Sequence, residues 1–325
     1  MDKTKALRLV AGTCLSLCLA ISQFGCSYRH TEAESVVWSV SSAGDAADGS
    51  MVLSTEGITI TFLSFDPDVK IGDVHEADFN FRIQNDRQDT VRIYITDWSV
   101  NGSMVNCSSS CMNFNPDEAV DRLGFMSVPY YWLRDNNISV VAETEFTVNV
   151  EKVRNVDVQA TEPGEPIFSS GPIKISLSGD DHYEQVFDTG GLDIYDEGGL
   201  RIVLRSLELT ENGHLVCEIF VSNTGDQGVF IKDWSCSVDG QELGELVFSG
   251  STKWYFDDTR GVGLSDKVRV PSGKVSYSSF STEVGQEAID VDGAYDLSIS
   301  FVVYDLDSSE MLYGIDDIPV RWPIE

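Results

Sequence analysis

The sequence predicts an all-β protein of two tandem antiparallel β-sandwiches, and three observations carry that expectation. Apolar and polar residues alternate with period two over runs of five to nine residues, as in Phe79, Phe81 and Ile83 against Asn80 and Arg82. Side chains at i and i+2 share one face of a strand, so the pattern marks half-buried strands. Clusters of Asn, Asp, Gly and Ser separate these runs at strand-length intervals, which is the punctuation of a sandwich. Finally, "ITDWSVNG" (95–102) returns as "IKDWSCSVDG" (231–240), so one chain states one β-unit twice.

The elements follow in order. Lys3, Lys5 and Arg8 precede an apolar run from Leu9 to Phe24. That run is short for a membrane span and right for a secretory signal core. Gly25 before Cys26 resembles a lipobox, in which the cysteine is acylated and becomes the new N-terminus. Gln23 and Phe24 depart from the usual lipobox pattern, so ordinary cleavage with release and an uncleaved anchor remain open. Residues 1–25 are read as a lipoprotein signal peptide. Residues 26–49, rich in Ser, Ala, Gly and acids, read as a tether. A flexible chain of that length spans roughly 25–30 Å. "VVWSV" (36–40) has the alternative reading of an edge strand.

The first sandwich is placed at 50–180 and the second at 181–325. "GITITFLSF" (57–65) matches "GLRIVLRSL" (199–207), and "ADFNFRIQN" (77–85) matches "LVCEIFVSN" (215–223). "NISVVAETEFTVNVE" (137–151) is matched to "KVRVPSGKVSYSSFS" (267–281), and "GPIKISLSG" (171–179) to "AYDLSISFVVYD" (294–305). The "NG" and "DG" pairs after each Asp-Trp are hairpin signals, because Asn, Asp and Gly tolerate positive φ. Trp98 and Trp234 share a face with Val100 and Cys236 and are read as equivalent core residues. Two short helices are expected, at 115–125 and 281–289. The opening "DEGGLRI", a strand ending in "SN", then "DWS…DG" and "SISFVVYDLD" together resemble the Ig-like domains found in tandem on lipoproteins of Gram-positive bacteria. The likeness covers 186–323 well and 50–179 more loosely. It implies a fold and a place on the cell surface, and no reaction.

Charge narrows the function classes. With 53 acidic against 22 basic residues the net charge is −31. A nucleic-acid binder needs a basic footprint, so no nucleic-acid partner is expected, and electrostatic docking on anionic lipid is disfavoured too. The membrane is reached through a lipid anchor at Cys26 on the extracellular face.

Four cysteines follow the signal region, an even number that suggests disulfides in an exported chain. Cys217 and Cys236 fall at inward strand positions, and a bond closing about 20 residues would add about 3 kcal/mol in the chain-entropy description. The alternative is two buried free thiols. Cys107 and Cys111 enclose three serines and read as a small disulfide at a hairpin tip. No zinc spacing, nucleophile elbow, phosphate loop or dinucleotide fingerprint occurs, so no cofactor, no metal and no catalytic residue are expected. Acid pairs such as Asp66 with Asp68 and Asp290 with Asp292 lack the converging oxygens that calcium needs.

Two aromatic runs stand out. "VPYYWLRD" offers Tyr130, Tyr131 and Trp132, and "TKWYFDD" offers Trp254 and Tyr255. Read as strands, each exposes an aromatic suited to sugar or peptide contact, against the plainer reading as residues bridging core and surface. The functional expectation is a non-catalytic binding or adhesion module for protein or glycan. The alternatives are an accessory lipoprotein of an envelope or transport complex and, last, a glycan-active hydrolase.

Overall fold

The computed structural model describes residues 41–42, 49–71, 74–105, 111–153, 164–177, 183–209, 214–238, 241–242, 247–249, 267–283 and 295–322. The signal segment, Cys26, and most of the predicted tether lie outside the described residues. The described chain is nearly all strand, with mostly antiparallel pairing and a single short helix among those residues.

In the first half the strands are β1 (Ser41–Ser42), β2 (Ser50–Thr55), β3 (Ile58–Ile71), β4 (Val74–Asn85), β5 (Val91–Val100), β6 (Ser103–Met104), β7 (Cys111–Phe114) and β8 (Glu118–Pro129). The helix α1 (Tyr130–Asp135) follows, then β9 (Val140–Val141), β10 (Glu143–Lys152) and β11 (Glu165–Ser176). One sheet runs β2-β3-β4-β8, and β5 pairs with β10, which pairs with β11. Strand β1, inside the predicted tether, pairs in parallel with β9.

The second half holds β12 (Leu192–Glu197), β13 (Leu200–Leu209), β14 (His214–Asn223), β15 (Val229–Val238), β16 (Gln241–Glu242), β17 (Val247–Ser249), β18 (Val268–Val270), β19 (Lys274–Glu283), β20 (Tyr295–Asp305) and β21 (Met311–Trp322). Its pairing repeats the first half: β12-β13-β14-β19 in one sheet and β15-β20-β21 in the other.

This pairing corrects two of the sequence matches. Strand β4 is partnered by β8 and β14 by β19, so 118–129 answers 274–283, 143–152 answers 295–305, and 165–176 answers 311–322. Every strand carries the same period of two, so a one-strand slip leaves the apolar pattern intact. The same finding overturns the helix expected at 115–125, where the chain is β8. Residues 281–283 of the other expected helix end β19, and its remainder lies outside the described residues.

Each half has its own core. Phe62, Phe79 and Phe81 of one sheet meet Trp98, Phe146 and Val148 of the other in the first. Leu204, Ile219 and Phe280 meet Trp234, Ile299 and Phe301 in the second. Strand β10 shows how the alternation builds this: Thr144, Phe146, Val148 and Val150 are buried and the residues between them are not.

The repeated Asp-Trp phrase turns out to encode a β-bulge. Asp97 and Asp233 have φ of 51° and 53°. In each half the ladder shifts register there, so that Asp97 and Trp98 face Phe146 alone, and Asp233 and Trp234 face Phe301 alone. Asp is among the residues that adopt left-handed φ at low cost, which explains the aspartate. The kink turns the next residue inward, and Trp98 and Trp234 are 6% and 7% exposed. The following hairpin is a tight turn in the first half, with Asn101 and Gly102 at φ of 49° and 82° between Val100 and Ser103. That pair of positive φ values is what "NG" supplies.

A second device recurs at the end of the preceding strand. Asn85 is buried at the end of β4, and its Nδ2 donates to the carbonyls of Asp89 (3.0 Å), Phe114 (3.2 Å) and Asn115 (2.9 Å). Asn223 at the end of β14 donates to Gln227 (2.8 Å) and Val270 (2.9 Å), and its Oδ1 accepts from the Gly225 N–H (3.0 Å). Each asparagine satisfies one main-chain carbonyl that would otherwise be buried without a partner, that of Phe114 or Val270, and ties the partly exposed turn beside it.

The halves share one sheet. The order β11-β10-β5-β6-β19-β14-β13-β12 runs without a break across both, through a parallel contact of Ser103 with Val275. The Val275 N–H donates to the Gly102 carbonyl at 3.1 Å. Residues 183–188 strap the outer side of this junction. Gln185 Nε2 donates to the Asn137 carbonyl (2.9 Å), and Asn101 Nδ2 to Gln185 Oε1 (3.1 Å). The Tyr277 hydroxyl donates to the Asp188 carbonyl at 2.8 Å, and Phe187 packs on Phe220 and Tyr277. Burial raises the Tyr277 hydroxyl to about 12, so it remains a donor at any working pH.

Candidate functional site

Two places gather polar chemistry. The first is the end of the β3–β4 hairpin beside α1. Cross-strand neighbours Asp66 and Asp78 sit there, with Ser127 Oγ donating to Asp78 Oδ1 at 2.7 Å and Asn80 Nδ2 donating to Ser64 Oγ at 3.1 Å. Asp78 is buried, which raises its carboxyl pKa; the Ser127 hydrogen bond opposes this and the Asp66 charge adds to it. His75 Nδ1 lies 2.7 Å from Asp68 Oδ1, and its ring is 5.6 Å from that of Tyr130. The Tyr130 hydroxyl donates to the Pro67 carbonyl. The exposed carboxylates of Asp66 and Asp68 beside the half-buried Tyr130 are chemistry suited to sugar hydroxyls. Among the described residues no group of three His, Cys, Asp or Glu is placed to hold a metal ion.

The aromatic run that led to this place is arranged differently from the strand expected. Pro129 starts α1, and the helical period turns Trp132 and Leu133 inward. Trp132 is 1% exposed, which removes it from the ligand-contact set; Tyr130 and Tyr131 are half-buried and pack against the first core. Trp254 and Tyr255 lie outside the described residues. They also precede β19, whereas Tyr130 follows β8, so the two runs are not counterparts.

The cysteines are also placed. Cys217 and Cys236 are buried in the second core as free thiols, so the expected bond between them is not formed. Burial drives both thiols up, Cys236 to about 11. The packing explains why a cysteine suffices. In the first half Phe79 faces Met126 across β4 and β8; in the second Cys217 faces Phe280 across β14 and β19. The large ring has changed strands, and Trp234 packs on Phe280 at 5.1 Å where Trp98 packs on Phe79 at 5.8 Å. The small side chain makes room for the ring, as volume conservation demands. Cys111 is an exposed free thiol on β7, and Cys107 lies outside the described residues, as does Cys26.

The second polar place is the junction, which sequence reasoning missed. Asp97 Oδ1 accepts from Arg269 Nη2 at 2.8 Å and Nε at 3.0 Å. Lys274 Nζ lies 3.0 Å from Glu145. The bulge supplies the geometry, because left-handed φ aims the Asp97 carboxylate outward while Trp98 goes inward. The only sequence signal was the positive-φ aspartate itself; its arginine partner is 172 residues away.

No family model and no curated protein matches this chain. Among solved structures it is similar to an exo-chitosanase of Amycolatopsis orientalis at 8% identity, covering 80% of this chain and 26% of that one, with a TM-score of 0.22. It is also similar to red sea bream transglutaminase, at 10% identity over 76% of this chain and 29% of that one, with a TM-score of 0.19. The adhesive subunit of the CFA/I fimbria of enterotoxigenic Escherichia coli gives 12% identity, coverage of 83% and 82%, and a TM-score of 0.14. The chain thus spans about a quarter of the chitosanase, and likenesses at these scores carry no functional argument.

Proposed function

We propose that the chain is a lipoprotein anchored through Cys26 to the extracellular face of the membrane, where two tandem Ig-like sandwiches act as a non-catalytic binding module for protein or glycan. The observation that carries this reading is the welded junction. A shared ten-stranded sheet and two ion pairs fix the halves, and a fixed pair of domains presents its surfaces without paying ordering entropy on binding. The basic and apolar segment up to Phe24, with Gly25 directly before Cys26, supports the anchor at that cysteine.

The test has two arms. Growth with a palmitate analogue labels the chain in the membrane fraction, and Cys26→Ala abolishes both label and membrane retention; retention without label refutes the lipid anchor. Thermal shift against glycans and peptides then reads the ligand, since a compound that binds only the native state raises Tm with concentration. A dose-dependent rise lost in Tyr130→Ala places that ligand at the α1 end. A flat response to every class tested refutes the glycan and peptide reading.

A further inference from the structure

Strand β16 is the counterpart of β6. Each is the short return strand of the hairpin that follows the Asp-Trp bulge, pairing with β5 and β15 respectively. In the first half β6 is covered, because β19 joins it and Arg269 reaches Asp97. In the second half the five-stranded sheet ends at β16. Asp233, the counterpart of Asp97, is exposed and accepts from the Tyr304 hydroxyl at 2.5 Å. One end of the molecule therefore repeats, unfilled among the described residues, a docking arrangement that the same chain fills internally.

We propose that the Asp233–β16 end of the second half is a docking face for a β-domain of another protein that presents an arginine in the register Arg269 holds. The occupant is not a second copy of this chain. Strand β7 pairs with β5 as β18 pairs with β15, which puts Asn113 where the second half has Arg269. The pairings Asn85 with Glu118 and Asn223 with Lys274 put Glu118 in the place of Lys274. A second copy offering its first half would bring a neutral amide and an acid, in the places of Arg269 and Lys274, to the exposed Asp233 carboxylate, in a chain of net charge −31. Such charge reversal is how an interface rejects a wrong partner while keeping its geometry. Without it the contact would be heterologous and open, and the chains would polymerise.

The inference deepens the binding-module reading and relies on it for the partner; its test does not use the lipid anchor. The full chain carrying Cys26→Ser is compared with the same chain carrying Asn113→Arg and Glu118→Lys, by sedimentation velocity over a concentration series. The parent stays monomeric. The variant, now supplying the arginine and the lysine, forms concentration-dependent head-to-tail oligomers, and adding Asp233→Asn weakens association at least tenfold. Glu118 accepts the Asn115 N–H at 2.6 Å, so Asn113→Arg alone serves as the second variant if the double variant does not fold. A folded variant that remains monomeric, or oligomers indifferent to Asp233→Asn, overturns the docking face. Neither outcome touches the palmitate labelling that tests the anchor.

Discussion

Replacing Asn223 with alanine removes three hydrogen bonds from a residue that is 2% exposed. The Val270 carbonyl keeps its burial and loses its partner, and the Gln227 carbonyl and the Gly225 N–H lose theirs at the partly exposed turn. A net hydrogen bond contributes about 0.5–1.5 kcal/mol, and a buried group left unsatisfied costs more. Three such losses with partial relaxation of an exposed turn give about 3 kcal/mol. Spread over a cooperative unit of this size, that lowers Tm by roughly 6–12 °C. Asn85→Ala should cost about the same, since its amide serves three carbonyls and its Oδ1 accepts the Arg87 N–H at 3.1 Å. The two sites sit in separate cores and share no partner, so their effects should add within about 0.5 kcal/mol. Asn223→Asp should be worse than alanine, because it sets a carboxylate against two carbonyl oxygens. Urea titration followed by tryptophan fluorescence measures these three variants and the double alanine variant. If either alanine variant loses less than about 1 kcal/mol, the asparagines do not hold the turns and the argument from buried main-chain satisfaction fails.

The remaining predictions concern the thiols, the buried acid and the junction. Cys217 and Cys236 should resist a maleimide in the native protein and react fully in denaturant, because burial raises both thiols and blocks access; reductant should leave Tm unchanged, and a large drop would mean they are bonded. Asp78→Asn should raise Tm at neutral pH. An acid whose folded pKa lies above its unfolded value binds its proton more tightly when folded, so the native chain gains stability as pH falls through the folded pKa, and the variant's advantage should shrink over that interval; a constant difference across pH would refute the assignment. A double-mutant cycle of Asp97→Ala with Arg269→Ala should give a coupling of about 0.5–1 kcal/mol, modest because both side chains are partly exposed at 25% and 36%, and it should fall with added salt. Zero coupling at low salt would remove this ion pair from the junction.

The fold class and the repeated unit were legible because period-two alternation and the Asp-Trp phrase are local signals. The inward direction of Phe79, Phe81 and Ile83 could be read directly, and all three are fully buried or nearly so. The strand-to-strand correspondence could not, since β8, β10, β19 and β20 all alternate and nothing local says which is whose neighbour. The helix α1 was hidden by aromatics that read as strand formers, although Pro129 before them was a start signal. The helix expected at 115–125 errs in the other direction, because Glu118, Ala119 and Arg122 suit a helix and only the pairing with β4 makes them strand. The α1-end cluster was half visible: the aromatics pointed to it, while Asp78 and Asn80 looked like ordinary outward polar residues until burial set them apart.

The same aspartate does different work in the two halves, and this is where duplication becomes organisation. The bulge requires a residue that accepts left-handed φ, and aspartate meets that need in both copies. Its carboxylate is left over once the backbone is satisfied. In the first half Arg269 takes it, and the second half is thereby oriented on the first. In the second half the hairpin is two residues longer, "DWSCSVDG" against "DWSVNG", and the carboxylate goes to Tyr304, a neighbour that asks less of it than an arginine does. A guanidinium can displace a tyrosine hydroxyl, because it brings a full charge and parallel N–H donors to the carboxylate where the hydroxyl brings one donor and no charge. Glu118 and Asn113 keep that guanidinium from coming out of a sister chain. The local rule that made the motif repeat thus leaves one carboxylate committed and one exchangeable, and the charge of the opposite face decides which partners can claim it.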